Sequence, residues 1–220
     1  MLELRIKGRD FERPVLGDIF TQIRRGDRIC LLGPSGIGKT TLLNAIAGLD
    51  RRTPATAFRG RETLRLGYLF QEHRLLPWRT LGQNLAIVGA AGTEIDRLLE
   101  SVGLTGYQHH FPDQLSLGMA RRAALARCLA VEPDLLLLDE PFASLDPVRA
   151  GELRTLISEL LDAHPHMGML CVTHDASDAT ALANRLWYLD GHPAHLQWDA
   201  PVASDVETIV QSLRTSMPLL

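Results

Sequence analysis

Nine consecutive residues near the start of the chain have the types and spacing of a loop that binds phosphate. They are Gly33, Pro34, Ser35, Gly36, Ile37, Gly38, Lys39, Thr40 and Thr41. Glycines let a loop curl so that its N–H groups point at phosphate oxygens, and the N-terminus of a following helix adds partial positive charge. In a Gly-x-x-x-x-Gly-Lys-Thr pattern the lysine reaches the β- and γ-phosphates and the threonine hydroxyl binds Mg²⁺. A glycine-rich turn from strand to helix that binds no ligand is the alternative.

A pair of carboxylates follows a wholly apolar run later in the chain. Residues 135–138 are all leucine, and Asp139 and Glu140 come directly after them. A carboxylate at the carboxyl end of a parallel strand lies at the edge where the phosphate loop also starts, so Asp139 can hold Mg²⁺ through water. Glu140 can polarise an attacking water as a general base. Acidic residues are also common in turns, so this pair alone does not define a site.

Short apolar runs alternate with helical stripes, which predicts a parallel sheet with helical crossovers. A helix should follow the phosphate loop and stop at Gly48, and another should start with Thr93 as N-cap and Asp96 at N3. Further helices are expected over 116–129, along a stripe at 153–161, and after Ser204. The predicted strands are Leu2–Ile6, Ile19–Ile23, 29–32, 68–70, 135–138 and 169–172.

Composition excludes several classes of protein. The chain has 220 residues, of which 45% are hydrophobic and 22% charged, and a formal net charge of −3, so no positive field steers it to nucleic acid. No apolar run has the length of a membrane-spanning helix, and no secretory signal is expected. Cys30, Cys128 and Cys171 lie in apolar stretches without a CxxC spacing, which indicates buried thiols in a reducing compartment.

Four further sequence motifs occur in a fixed order along the chain with the phosphate loop and the carboxylate pair. Gln71 follows the strand predicted at 68–70, and residues 115–119 read Leu-Ser-Leu-Gly-Met before a predicted helix. Asp146 is the last residue of the sequence Ser-Leu-Asp, and His174 follows the strand predicted at 169–172. Taken with the phosphate loop and the carboxylate pair, this order resembles the ATP-binding subunit of an ATP-binding cassette (ABC) transporter over about residues 2–190.

The resemblance implies an α/β fold of the P-loop NTPase type. A mainly parallel sheet is flanked by helices, with a small antiparallel β arm and an inserted helical subdomain. One ABC ATPase domain would span 1–220, with its nucleotide-binding core at 1–73 and 133–190. The helical subdomain that carries residues 115–119 would be 74–132, and 191–220 a C-terminal extension.

The resemblance also implies a role for each matching residue. Gln71 would bind Mg²⁺ with Thr40 and Asp139 and sense the nucleotide, Glu140 would be the catalytic carboxylate, and His174 would contact the γ-phosphate. Ser116, Gly118 and Asp146 would contact ATP bound by a partner subunit. Phe11 is the candidate for stacking on adenine, with a core aromatic as the alternative.

Two residues depart from the family pattern. Leu117 stands where the first glycine of the signature is expected, and Met119 where glutamine is frequent. We therefore expect weaker binding of the partner's nucleotide and a slow ATPase. A non-hydrolysing regulatory subunit and a soluble ABC ATPase outside transport are the alternative functions.

The partners implied by the resemblance are a second cassette and a separate membrane permease that docks between Gln71 and Trp78. Packing of Leu75 and Trp78 inside the helical subdomain is the alternative for that segment. A solute-binding protein would act indirectly, no nucleic acid is expected, and the chain would lie in the cytoplasm on the inner face of the membrane. The stretch from Gln71 to Trp78 is similar to importers of nitrate, sulfonate, taurine and thiamine precursors.

Overall fold

Nine strands, seven α-helices and three short 3-10 helices lie within residues 1–8, 15–202 and 206–215, the residues that a computed structural model of the chain describes. The strands are β1 (Leu2–Ile6), β2 (Ile19–Ile23), β3 (Arg28–Leu32), β4 (Phe58–Arg59), β5 (Leu66–Leu69), β6 (Leu135–Asp139), β7 (Gly168–Val172), β8 (Arg185–Asp190) and β9 (His195–Pro201). The helices are α1 (Lys39–Ala47), α2 (Leu81–Ala86), α3 (Gly92–Ser101), α4 (Leu117–Leu129), α5 (Pro147–Ala163), α6 (Ala176–Leu182) and α7 (Val206–Thr215).

A six-stranded sheet with the order β5-β6-β7-β3-β8-β9 forms the centre of the fold. Its first five strands are parallel, and β9 runs antiparallel to β8. Strands β6 and β7 are buried along their whole length, as expected for parallel strands covered on both faces. Because the carboxyl ends of β3, β5, β6 and β7 meet at one edge, the segments that follow these strands come together there.

Successive side chains of the central strands face two different hydrophobic layers. Cys30 and Leu32 of β3 belong to the layer formed with α2 to α6, whereas Ile29 and Leu31 belong to the layer formed with α1 and strands β1 and β2. This alternation follows from the period of two residues along a strand. All three cysteines are buried and free, as predicted from their apolar surroundings.

A small antiparallel sheet with the order β2-β1-β4 covers the α1 side. This confirms the predicted β arm, and β4 contributes two residues only. A helical insertion made of α2, α3 and α4 separates β5 from β6, and within it the structure has no strand. The observed fold is therefore the mixed α/β architecture expected from the sequence.

Two predicted elements have wrong boundaries. Helix α3 starts at Gly92, so Thr93 is not its N-cap and Asp96 is not N3; the N–H of Ala91 instead donates to the Glu94 carboxylate at 3.4 Å. Strand β5 spans Leu66–Leu69 rather than the predicted 68–70, so both its start and its end were misplaced. The ring of Phe70 stacks on that of Tyr68, with ring centroids 3.9 Å apart.

The C-terminal segment contributes to the core sheet. Strand β9 pairs with β8, and Val206 of α7 is buried in the layer that contains α6. The division of the chain at residue 191 stays a prediction, and Ser204 lies outside the described residues. No helix in the described parts of the chain is both long enough and apolar enough to cross a membrane.

Candidate nucleotide-binding and catalytic site

The phosphate loop, residues 33–41, connects the carboxyl end of β3 to α1. Gly33 and Gly38 have φ angles of 150° and 109°, which residues with side chains rarely adopt. A Cβ at Gly33 would lie 2.3 Å from the carbonyl oxygen of Leu189. Among the described residues no side chain caps the N-terminus of α1, so the N–H groups of its first turn are left for a bound anion.

The ammonium group of Lys39 lies inside this loop. Its Nζ donates hydrogen bonds to the carbonyl oxygens of Gly33 at 2.9 Å and of Pro34 at 2.8 Å. Burial lowers the pKa of Lys39, and the carboxylates of Glu140 and Asp139 act in the opposite direction. The loop thus holds a cation beside the uncapped N-terminus of α1, and bound phosphate oxygens can replace the two carbonyl contacts.

Oxygen donors suited to Mg²⁺ lie beside the loop. The Thr40 hydroxyl donates to Oδ1 of Asp139 at 3.0 Å. Burial raises the pKa of Asp139, and the Thr40 hydrogen bond works against that rise. A hydroxyl and a carboxylate are the hard oxygen ligands that Mg²⁺ prefers, so these residues fit the ion.

Gln71 lies at the same edge of the sheet. Strands β5 and β6 pair at Leu69 and Leu138, and Gln71 and Asp139 follow these two residues closely. Gln71 is exposed, and within the described part of the chain no hydrogen bond joins it to Thr40 or Asp139. The structure therefore places Gln71 near the candidate magnesium ligands without a direct contact.

Glu140 and His174 face each other at the ends of β6 and β7. The Glu140 N–H donates to the carbonyl oxygen of Val172 at 3.0 Å, which fixes the backbone of the carboxylate against the neighbouring strand. Oε2 of Glu140 and Nδ1 of His174 are 3.9 Å apart. Both side chains reach solvent, so water has access to the space between them.

The two segments expected to contact a partner's nucleotide start helices. Ser116 is the N-cap of α4 and accepts a hydrogen bond from the Met119 N–H at 3.3 Å. Asp146 is the N-cap of α5 and accepts from the Arg149 N–H at 3.1 Å. A Cβ on Gly118 would lie 3.7 Å from the Arg149 side chain, so the two helix starts are neighbours.

These positions can be compared with proteins of known family. A family model described as ABC transporter matches residues 16–143, which is more than half of the chain. The chain belongs to the ABC transporter family. The matched region contains the phosphate loop, the signature segment at residues 115–119 and the carboxylate pair.

Individual members of the ABC transporter family are similar over most of the chain. An "Aliphatic sulfonates import ATP-binding protein SsuB 2" of Burkholderia cenocepacia is 42% identical over 211 residues, which is 89% of this chain and 76% of the relative. A protein named SsuB 3 from Paraburkholderia xenovorans is 49% identical over 179 residues, 79% of this chain and 70% of the relative. A solved dimeric ATP-binding cassette, MJ0796, described as a post-hydrolysis state with ADP and Pi, is 25% identical, with a TM-score of 0.74 over 93% of this chain and all of that one.

Two predictions for this ABC cassette concern Phe11 and the segment from Gln71 to Trp78. Phe11, the candidate for stacking on adenine, lies outside the described residues. Between Gln71 and Trp78, Leu75 is buried, whereas Trp78 is 68% exposed. The packing alternative is therefore correct for Leu75 and wrong for Trp78.

An ion pair between Arg154 and Asp178, in contact with Thr173 next to His174, could not be predicted from the sequence. The Thr173 hydroxyl donates to Asp178 of α6, and Arg154 of α5 lies 2.9 Å from the other carboxylate oxygen of Asp178. Burial raises the pKa of Asp178, with Thr173 and Arg154 opposing that rise. The three residues fix the backbone that presents His174, and only the packing of α5 against α6 reveals the contact.

Proposed function

We propose that the chain hydrolyses ATP as the cytoplasmic subunit of an importer, on the inner face of the membrane. The observation that carries the proposal is the convergence of the loop cation, the Thr40–Asp139 pair and the Glu140–His174 pair at one sheet edge. The names of the SsuB relatives support import, with aliphatic sulfonates as the solute class. The solute itself would contact other subunits.

Different residues at this sheet edge bind the phosphates, hold Mg²⁺ and activate the attacking water. The N–H groups of the phosphate loop and Lys39 bind the β- and γ-phosphates, while Thr40, Asp139 and Gln71 hold Mg²⁺. Bound Mg²⁺ would neutralise phosphate charge. The Glu140 carboxylate accepts a proton from the attacking water, and His174 donates a hydrogen bond to the γ-phosphate.

A second copy of the chain would complete the site. Ser116 and Asp146 lie side by side at the starts of α4 and α5. The apolar side chains next to them are unusually exposed, Leu117 at 43% and Val148 at 71%. Burying these side chains against a second protein would remove their apolar surface from water. We infer a homodimer in which Ser116 and Gly118 of one copy bind the γ-phosphate held by the other, and the dimeric MJ0796 structure supports this arrangement.

A charge introduced at Ser116 tests the dimer without removing the helix cap. Aspartate and asparagine both cap helices as well as serine does, but only aspartate carries a charge towards the partner's γ-phosphate. With Mg²⁺ and a non-hydrolysable ATP analogue, we expect Ser116→Asn to elute as a dimer on gel filtration and Ser116→Asp as a monomer. Each should bind the analogue within about twofold of wild type, because each copy binds nucleotide on its own loop. A dimer formed equally well by Ser116→Asp would contradict the proposal.

Leu117 should limit turnover. Its side chain lies at the N-terminus of α4, beside the position proposed for the partner's γ-phosphate. We expect Leu117→Gly to raise the steady-state ATPase rate about two- to fivefold, and Leu117→Ala to raise it less, since removing the side chain lets the α4 N–H groups approach the phosphate. Thermal denaturation controls for the cost of glycine, about 0.5–1 kcal/mol within a helix. An unchanged rate in Leu117→Gly would show that the side chain is accommodated.

The exposed Trp78 supports docking of a membrane permease. Leu75 anchors the segment in the helical insertion, and Trp78 projects from it a few residues after Gln71. An exposed tryptophan held by a buried neighbour is a typical interface residue. We infer that a short permease helix contacts Trp78 and thereby senses the state of Gln71, and that a solute-binding protein acts through the permease.

A further inference from the structure

An arginine in the middle of the fold holds the turn that follows Glu140. Arg121 lies on α4 and is 4% exposed. Its guanidinium donates to the carbonyl oxygen of Glu140 at 3.1 Å and to those of Pro141 and Ala143. One side chain thus connects α4 to the backbone between the proposed catalytic carboxylate and Asp146.

The turn that Arg121 holds has an unfavourable backbone. Glu140 and Ser144 have φ angles of 46° and 62°, in the left-handed region that favours glycine. Backbone of this kind persists only where the surroundings determine it. The planar guanidinium presents several N–H donors in fixed directions, whereas the lysine ammonium is a compact charge on a flexible stem. The contacts of Arg121 therefore specify the geometry of the turn.

A second arginine on the same helix holds the segment after Gln71. Arg127 donates to the carbonyl oxygens of Arg74 at 2.8 Å and of His73 at 3.1 Å. Arg74 is also left-handed, with φ of 47°. Helix α4 is therefore linked by buried or half-buried guanidinium groups to two of the loops at the sheet edge.

The neighbouring arginine provides a comparison. Arg122 points to Glu152 of α5, with its Nη2 3.3 Å from the carboxylate, and is more exposed than Arg121. It contacts no backbone carbonyl among the described residues. Arg121 and Arg122 have the same side chain and lie on the same helix. Arg121 donates to backbone carbonyl oxygens of the turn, whereas Arg122 donates to a side-chain carboxylate.

We propose that Arg121 is a positioning residue that makes the Glu140–Asp146 turn move with α4, so that engagement of Ser116 by the partner's ATP aligns the Glu140 carboxylate with the attacking water. Arg127 does the same for the segment that follows Gln71. This inference rests on the proposed function. It adds a physical link between the dimer contact and the catalytic carboxylate.

The test compares Arg121→Met and Arg121→Lys with the control Arg122→Met in the full chain. We expect Arg121→Met to lower kcat about tenfold or more while the KM for ATP stays within about twofold, because positioning acts on the reacting geometry and not on ground-state binding. Arg121→Lys should fall between Arg121→Met and wild type. Arg122→Met should keep both constants within about twofold.

Amide hydrogen exchange without nucleotide gives a readout that does not depend on activity. The N–H of Ala143 donates to the Glu140 carbonyl at 3.1 Å, and that of Leu145 donates to Phe142 at 3.3 Å. We expect both amides to exchange about tenfold faster in Arg121→Met and at the wild-type rate in Arg122→Met. Arg127→Met should leave these two amides unchanged, since it contacts a different segment.

Two results would overturn the inference. The first is a folded Arg121→Met with wild-type kcat and wild-type exchange at Ala143 and Leu145. The second is a fall in kcat matched by an equal loss of ATP affinity, which indicates general damage. If Arg121→Met does not fold, the same criteria apply to Arg121→Lys. A wild-type chain without ATPase activity would instead contradict the proposed function, and the exchange result would still decide whether Arg121 holds the turn.

Discussion

Replacing Lys39 with methionine should raise the Kd for Mg²⁺–ATP at least about 100-fold. The Nζ of Lys39 is buried in the phosphate loop, 2.9 and 2.8 Å from two carbonyl oxygens that phosphate oxygens can replace. A hydrogen bond to a charged group contributes about 1.5–3 kcal/mol, and 1.4 kcal/mol corresponds to a factor of ten. Methionine keeps the length of the side chain and removes its charge. Titration calorimetry with ATP, ADP and Mg²⁺ measures the change.

The chain offers a matched control for this substitution. Its one other lysine, Lys7, is exposed after β1. Lys7→Met makes the same chemical change away from the loop and should bind ATP as wild type does. The melting temperature of each variant without nucleotide reports folding. If a folded Lys39→Met loses less than about tenfold in affinity, the loop does not bind phosphate in the proposed way.

The elements that position the site could be predicted because they depend on local patterns. The leucine run at β6 and the apolar run at β3 identify buried parallel strands, and the chain order of loop, carboxylates and His174 then places them at one edge. The paired arrangement of Thr40 and Asp139 follows directly from that edge. The positions of these residues relative to one another could be predicted because the order of the parallel strands determines which residues are adjacent at that edge.

The contacts that could not be predicted depend on long-range packing. Arg121 reaches a turn about twenty residues further along the chain, and Arg154 of α5 pairs with Asp178 of α6. Nothing in the charge pattern of α4 distinguishes Arg121 from Arg122.

Helix capping and the proposed contact across the dimer are compatible in Ser116. The Ser116 hydroxyl accepts from the Met119 N–H with one lone pair, and its own proton can still donate to a phosphate oxygen. The N-terminus of α4 also favours a bound phosphate, because the helix dipole places partial positive charge there. Capping therefore orients Ser116 in advance, so that little entropy is lost when the partner's nucleotide arrives.

Replacing Glu140 with glutamine should have the largest effect on catalysis. We expect kcat to fall about 10²- to 10⁴-fold, because an amide oxygen cannot accept the proton of the attacking water. The backbone hydrogen bond to Val172 and the contact with Arg121 involve main-chain atoms, so glutamine should keep the geometry. ATP affinity should stay within about threefold, and the ATP-bound dimer should accumulate because hydrolysis no longer separates it.

Glu132 provides the control for Glu140→Gln. It lies before β6 rather than after it, has the same φ of 46° and is exposed beside Arg65. Glu132→Gln is therefore the same substitution at a residue with the same backbone conformation, at the opposite end of β6. It should keep kcat within about twofold of wild type. If Glu140→Gln retained more than about a tenth of wild-type turnover, Glu140 would not be the proton acceptor. Because Nδ1 of His174 lies 3.9 Å from the carboxylate of Glu140, the pH dependence of the residual rate would then show whether the imidazole takes the proton.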